Sequence, residues 1–268
     1  MVFAHDALAI QERICSMYTI KNFVDNDDVR VVSEMGAFKI IEWKRDLSVT
    51  SASAMEAYFA AEMNVRRRQV ICDLSQSPVT VQAGAMQWML GDVSMNTGVK
   101  GAGDFLGKAF RAKASGESII KPEYAGTGML VLEPTYKHLL VIDVNDWNNN
   151  IVLDDGLFLA SYSSLQHNTV ARSNISSAVM GGEGLFNLGL SGYGAVVIES
   201  PVPREELIEI ELNNDVVKID GNMAIAWSGS LQFTTERSGK SLIGSAASGE
   251  GLVNVYRGTG RIWMAPTC

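Results

Sequence analysis

Short runs in which apolar and polar residues alternate dominate the chain. Ile208, Ile210 and Leu212 alternate with Glu209 and Glu211, so residues 207–212 read as a strand with one face in water. The Pro201-Val202-Pro203 turn opens that strand and Asn213-Asn214-Asp215 ends it. Val70, Ile71 and Leu74 mark another strand within residues 65–74. Helical spacing is confined to two places. Met55, Tyr58, Phe59 and Glu62 predict a helix within residues 53–67, with Ser53 and Glu56 placed for a capping box. Phe105, Leu106, Ala109 and Phe110 predict a shorter helix from Asp104 to Lys113.

Two glycine patterns recur. In the first, a glycine precedes Met or Phe by two residues and an aromatic follows. It is found at Gly84-Ala85-Met86 with Trp88, at Gly156-Leu157-Phe158 with Tyr162, and at Gly221-Asn222-Met223 with Trp227, with a looser copy at Gly36-Ala37-Phe38 with Trp43. The second is G-x-G followed by an apolar run, at Gly126-Thr127-Gly128, Gly192-Tyr193-Gly194 and Gly258-Thr259-Gly260. Its copies stand at equal intervals, which predicts three repeats covering about 70–135, 136–200 and 201–266. Each G-x-G is expected at a hairpin turn that needs positive φ. Residues 1–55 then form an N-terminal extension, and 56–268 form the repeat-bearing β domain.

Composition narrows the class. A hydrophobic fraction of 47% with no low-complexity tract excludes general disorder. The net charge of −8 opposes binding to nucleic acid or anionic membrane by bulk electrostatics. Cys15, Cys72 and Cys268 show no metal spacing, and an odd, unpatterned count fits a reducing cytoplasm. The N-terminus reads as neither a signal nor a transit peptide, and no apolar run is long enough to span a bilayer.

Candidate chemistry is sparse. His5, His138 and His167 share no metal-binding spacing. Gly239-Lys240-Ser241 resembles the end of a phosphate loop, but Thr234 stands where that loop needs its first glycine. Gly101-x-Gly103 has Leu106 where a dinucleotide fingerprint needs glycine, and the segment around Ser191 lacks the closing glycine of a nucleophile elbow. Asp143, Asp146, Asp154 and Asp155 flank Trp147 without calcium-loop spacing, and read as a solvated turn. The tryptophans read as core or interface anchors. Strand alternation would divide Arg66-Arg67-Arg68 between two faces, which weakens a single anion site. Lys100, Lys108, Arg111, Lys113 and Lys121 are the remaining basic concentration and the candidate interaction residues, for phosphate or an acidic partner. No residue is assigned to catalysis, metal or cofactor.

The motifs Gln82-Ala83-Gly84-Ala85-Met86, Gly98-Val99-Lys100-Gly101 and Gly116-Glu117-Ser118 occur in order with Gly184-Leu185-Phe186, Gly192-Tyr193-Gly194, Gly249-Glu250-Gly251-Leu252 and Gly258-Thr259-Gly260. In this combination the chain resembles the AIM24 family over about residues 60–266. The resemblance implies a mainly β fold like that of the tryptophan RNA-binding attenuation protein, a double-stranded β-helix or jelly-roll sandwich, with pseudo-threefold symmetry where the repeats pack equivalently. It implies no catalytic residue. The expected function is that of a non-enzymatic cytoplasmic scaffold or binding protein acting through self-assembly or partner docking. RNA binding by analogy of fold, and a ligand or metal cavity in the β body, are the alternatives.

Overall fold

The computed structural model of the chain describes residues 18–98, 121–171, 186–237 and 252–266. In chain order its elements are β1 (Val29–Met35), β2 (Phe38–Trp43), α1 (Ala54–Glu62), β3 (Arg68–Asp73), β4 (Val79–Val81), β5 (Met86–Asn96), β6 (Glu123–Leu132), β7 (His138–Asp143) and β8 (Asn150–Leu153). They continue with β9 (Phe158–Tyr162), β10 (Gln166–Ala171), β11 (Phe186–Ser191), β12 (Ala195–Ser200), β13 (Ile208–Asp220), β14 (Ala224–Ser228), β15 (Gln232–Arg237) and β16 (Leu252–Met264). The fold is mainly β, as the alternation predicts. Nine of these strands form one sheet, in the order β1-β2-β3-β6-β4-β9-β12-β7 with β5 on β6. The other seven form β10-β11-β8-β14-β16-β13, with β15 on β16. The larger sheet curls until its end strand β7 comes against β1 and β3. No ladder joins β1 to β7 among the described residues, so a seam stays open there.

The glycine patterns have a common backbone meaning. Gly84, Gly156 and Gly221 have φ of +81°, +76° and +65°, and each lies in the turn before β5, β9 and β14. The first glycines of the three G-x-G copies, Gly126, Gly192 and Gly258, have φ of +135°, +116° and +121°. The pairings correspond as well: Leu132 faces Met86, Ile198 faces Phe158 and Met264 faces Ala224. These registers are compatible with the repeats read from the sequence.

The expected hairpin position holds for one G-x-G copy and fails for two. Gly192 and Gly194 do lie in the turn between β11 and β12. Gly126 and Gly128 instead lie inside the continuous strand β6, and Gly258 and Gly260 inside β16. Positive φ bends a strand as readily as it closes a turn. The second glycine answers to space: a Cβ at Gly194 would stand 2.9 Å from the Tyr162 ring, and one at Gly260 2.8 Å from Ser228 Cβ. Asn213-Asn214-Asp215 also fails to end its strand, because β13 runs on to Asp220 past a bulge between Leu212 and Asp215.

The core is continuous with the curl. Phe38 and Ile40 of β2, Val70 and Cys72 of β3, Leu130 and Leu132 of β6 and Val197 of β12 are fully or almost fully buried together. A second cluster holds Trp147 and Trp263, whose rings meet edge to face 5.1 Å apart, with Ile151, Leu190 and Ile225. Trp227 stacks among Phe233 and Tyr256 in a third. The hairpin of β1 and β2 extends the large sheet beyond β3, and its turn is tied inward where the Ala37 N–H donates to Tyr162 Oη at 2.8 Å.

Candidate functional site

Three arginines meet one glutamate at the polar end of the curled sheet's inner face. Along β2, Phe38, Ile40 and Glu42 point inward in alternation, and along β3 so do Cys72, Val70 and Arg68. Register sets Glu42 opposite Arg30 of β1 on one side and Arg68 of β3 on the other. Glu42 Oε1 accepts from Arg30 Nη2 at 2.7 Å, from Arg30 Nε at 3.1 Å and from Arg66 Nη1 at 3.3 Å. Its Oε2 lies 2.7 Å from Arg68 Nη2. The carboxylate side chain is 3% exposed and that of Arg68 5%.

Burial pushes the Glu42 carboxyl up. The hydrogen bond from Arg30 and the charges of Arg68 and Arg30 outweigh it, so the group ends below the ordinary carboxylate range. Arg68 is shifted downward, by burial first, with Arg66 and Arg30 pushing the same way against the pull of Glu42. Its Nη2 also donates to Asn64, at Oδ1 (2.7 Å) and the carbonyl (3.0 Å), and its Nη1 donates to the carbonyls of Arg66 (3.3 Å) and Tyr136 (3.5 Å). Asn64 is left-handed and stops α1, so one guanidinium joins the helix end to the sheet.

Around this row lies a cleft of about 400 Å³ between β1 and β7, lined among others by Arg30, Ser33, Glu42, Arg68, His138 and Arg204. His138 is held below its usual value by burial and then by Arg68. Arg204 stacks 4.2 Å above the Trp263 ring and pairs with Glu209.

The second feature is α1. The helix forms where its spacing predicts, but Ser53 does not cap it. The Ser53 hydroxyl accepts the Thr50 N–H at 3.1 Å in the preceding turn. No residue of α1 is buried. Met55, Tyr58 and Phe59, with Met63 just beyond, are 61–78% exposed, and Leu47 and Val65 add to the same region. Beside it runs a cleft of about 760 Å³ that carries both signs of charge, with Lys44, Arg45 and Arg67 against Asp46, Glu56 and Glu62.

The residues singled out in the sequence divide unevenly between these features. Arg66 and Arg68 do share a face, while Arg67 turns away to Asp46 and the Tyr136 hydroxyl. Lys100, Lys108, Arg111 and Lys113 lie outside the described residues, as do the Asp104–Lys113 helix, Gly101-x-Gly103 and Gly239-Lys240-Ser241. Lys121 is described, with Nζ 5.1 Å from the Phe158 ring centre. Beneath it His167 is depressed to about 4, by burial and then by the Lys121 charge, and its Nε2 lies 3.0 Å from Ser161 Oγ. Asp143 accepts the Asn145 N–H at 2.9 Å, a turn contact. Trp147, Trp227 and Trp263 are buried. The described residues hold no cluster of His, Cys, Asp or Glu able to bind a metal, and no helix long and apolar enough to cross a membrane. Sequence reasoning missed Arg30 and Glu42, whose roles depend on register across three strands.

The family whose sequence model matches residues 61–267 is described as mitochondrial biogenesis AIM24. The chain belongs to the AIM24 family. An uncharacterized protein of Streptococcus pyogenes serotype M6 is 31% identical over 194 residues, which covers 69% of this chain and 75% of that protein. A Streptococcus pyogenes protein solved by X-ray crystallography in a structural genomics programme is 27% identical, with a TM-score of 0.56, over 75% of this chain and 88% of that one. The AIM24 match begins at the end of α1, so Arg30 and Glu42 fall outside it while Arg66, Arg68, His138 and Arg204 fall inside.

Proposed function

We propose that this AIM24 chain is a non-enzymatic cytoplasmic scaffold that self-associates through α1. The observation that carries the reading is a helix with no buried residue whose large apolar side chains all face water. In a soluble protein such a patch marks an interaction surface. A second copy is the occupant that the charges favour. A twofold interface brings the same patch against itself, and the adjoining cleft carries both signs, so Arg45 and Lys44 of one copy meet Glu56 and Glu62 of the other. The unpatterned cysteines, with Cys72 buried and free, support a reducing compartment.

Size-exclusion chromatography with light scattering tests this on the full chain. Wild type is expected to run as a dimer that dissociates on dilution, and Phe59→Asp as a monomer that melts where dilute, dissociated wild type does. A wild type that stays monomeric at high protein concentration overturns the reading. So does a Phe59→Asp variant that still dimerises.

A further inference from the structure

We propose that the cleft between β1 and β7 is a binding site for a phosphate dianion, free or as a small phosphomonoester. Arg30 and Arg68 line the cleft, and Arg66 reaches Glu42 from the side of the cleft beside α1; together they bring three positive charges to one carboxylate, which leaves a surplus of two. Glu42 accepts from guanidinium groups on both oxygens, so it has little left to repel an incoming anion. Part of the surplus is held in a poor solvent for it: Arg68 is almost fully buried, while Arg30 is half exposed. Unbalanced charge away from water is costly, and an entering dianion would relieve it.

Shape and chemistry agree with that count. The cleft has the volume of a small-molecule site. Guanidinium forks match the oxygens of phosphate, and Ser33 and a neutral His138 add shorter-range donors on the two walls. Glu205 also lines the cleft, exposed to solvent, and Arg204 beside it is already paired with Glu209. The seam itself comes from the fold. β1 and β7 end the same sheet, approach each other and share no ladder, so the groups between them are not covered by a neighbouring strand.

Isothermal calorimetry and thermal unfolding of the full chain with inorganic phosphate test the site, against potassium chloride of equal ionic strength. One saturable site and a melting temperature that rises with phosphate but not with chloride are expected. Arg30→Met, at a half-exposed edge position, should weaken phosphate roughly tenfold. Ser33→Asp, which places a carboxylate in the cleft without removing an arginine, should abolish it. Arg257→Met, remote from the seam, should bind as wild type does. Tighter binding of glycerol phosphate than of inorganic phosphate would assign the site to a monoester, and the reverse to the free ion. No saturable binding, or equal binding by wild type and Ser33→Asp, overturns the proposal. The dimer test of α1 is independent of either result.

Discussion

Glu42 and Glu236 are both held by arginine, and the two pairs differ in almost every other respect. Arg257 grips Glu236 as a fork, Nη1 to Oε1 at 2.7 Å and Nη2 to Oε2 at 3.0 Å, in one-to-one stoichiometry. Glu42 has three arginines in a less regular arrangement. By geometry alone the Glu236 pair is the better one. It is nevertheless over a third exposed on both sides, whereas Glu42 is buried at the end of the inner face. Water competes for both partners of the first pair but hardly reaches Glu42 and Arg68 in the second, so the less regular cluster carries the larger energy. Unequal stoichiometry has a second consequence. An exposed one-to-one pair is balanced, while the three-to-one cluster keeps a positive surplus that water solvates at half-exposed Arg30 and hardly reaches at Arg68.

The largest test of that contrast removes the buried carboxylate. Glu42→Gln leaves three guanidiniums around a neutral amide, and should cost about 3 kcal/mol, near the low end for a broken buried pair because Arg30 is half exposed. In a chain of this size that lowers the melting temperature by roughly 6–12 °C. Glu42→Leu combined with Arg68→Met removes charge from both sides of the pair, and should recover more than half of that loss. Calorimetric melting measures both. A double variant no better than the single one would mean that packing, not unpaired charge, sets the cost.

Acid sharpens the contrast by separating the groups. Glu42 loses its proton more easily in the folded state than at its ordinary value of 4.5. Its contribution is therefore complete above about pH 4.5 and drains away as acid protonates it below. His167 acts in a different window. The unfolded chain takes up a proton near pH 6.5, whereas the buried imidazole resists it down to about 4, so stability falls between those values. After discounting for its partial exposure, this amounts to on the order of 1–2 kcal/mol. His138 is depressed as well and adds to the decline below its ordinary value of 6.5. Urea midpoints measured against pH should show His167→Gln flattening the decline from 6.5 to 4.5. Glu42→Gln should leave that limb and flatten the one below.

The sequence makes these regions legible to different degrees. Glycines at equal intervals announce equal backbone conformations, and the positive φ values of Gly126, Gly192 and Gly258 agree. Turn and strand bend use the same φ, so the sequence cannot tell which of them each glycine serves. Helix α1 is legible from the spacing of Met55, Tyr58 and Phe59. Its exposure is not, because apolar spacing states which residues share a face and not whether anything covers it. Arg66 and Arg68 are legible as one face by alternation. Their partners Arg30 and Glu42 are some two dozen or more residues earlier in the chain, and only the pairing of β1 with β2 and of β2 with β3 aligns the row.

The smallest effect belongs to the exposed fork. Glu236 is held below its ordinary value by the hydrogen bond from Arg257, against a smaller opposing push from burial. That geometry would suggest a strong pair. Both side chains nonetheless sit in water at the edge of β15 and β16, where solvation replaces most of what the pair loses. Glu236→Gln should therefore leave the melting temperature unchanged at moderate salt, measured beside Glu42→Gln in the same buffer. Salt gives the discriminating readout, since an exposed pair weakens with ionic strength and a buried cluster hardly does. A Glu236→Gln loss comparable to that of Glu42→Gln and insensitive to salt would show that fork geometry, rather than burial, ranks the ion pairs of this fold.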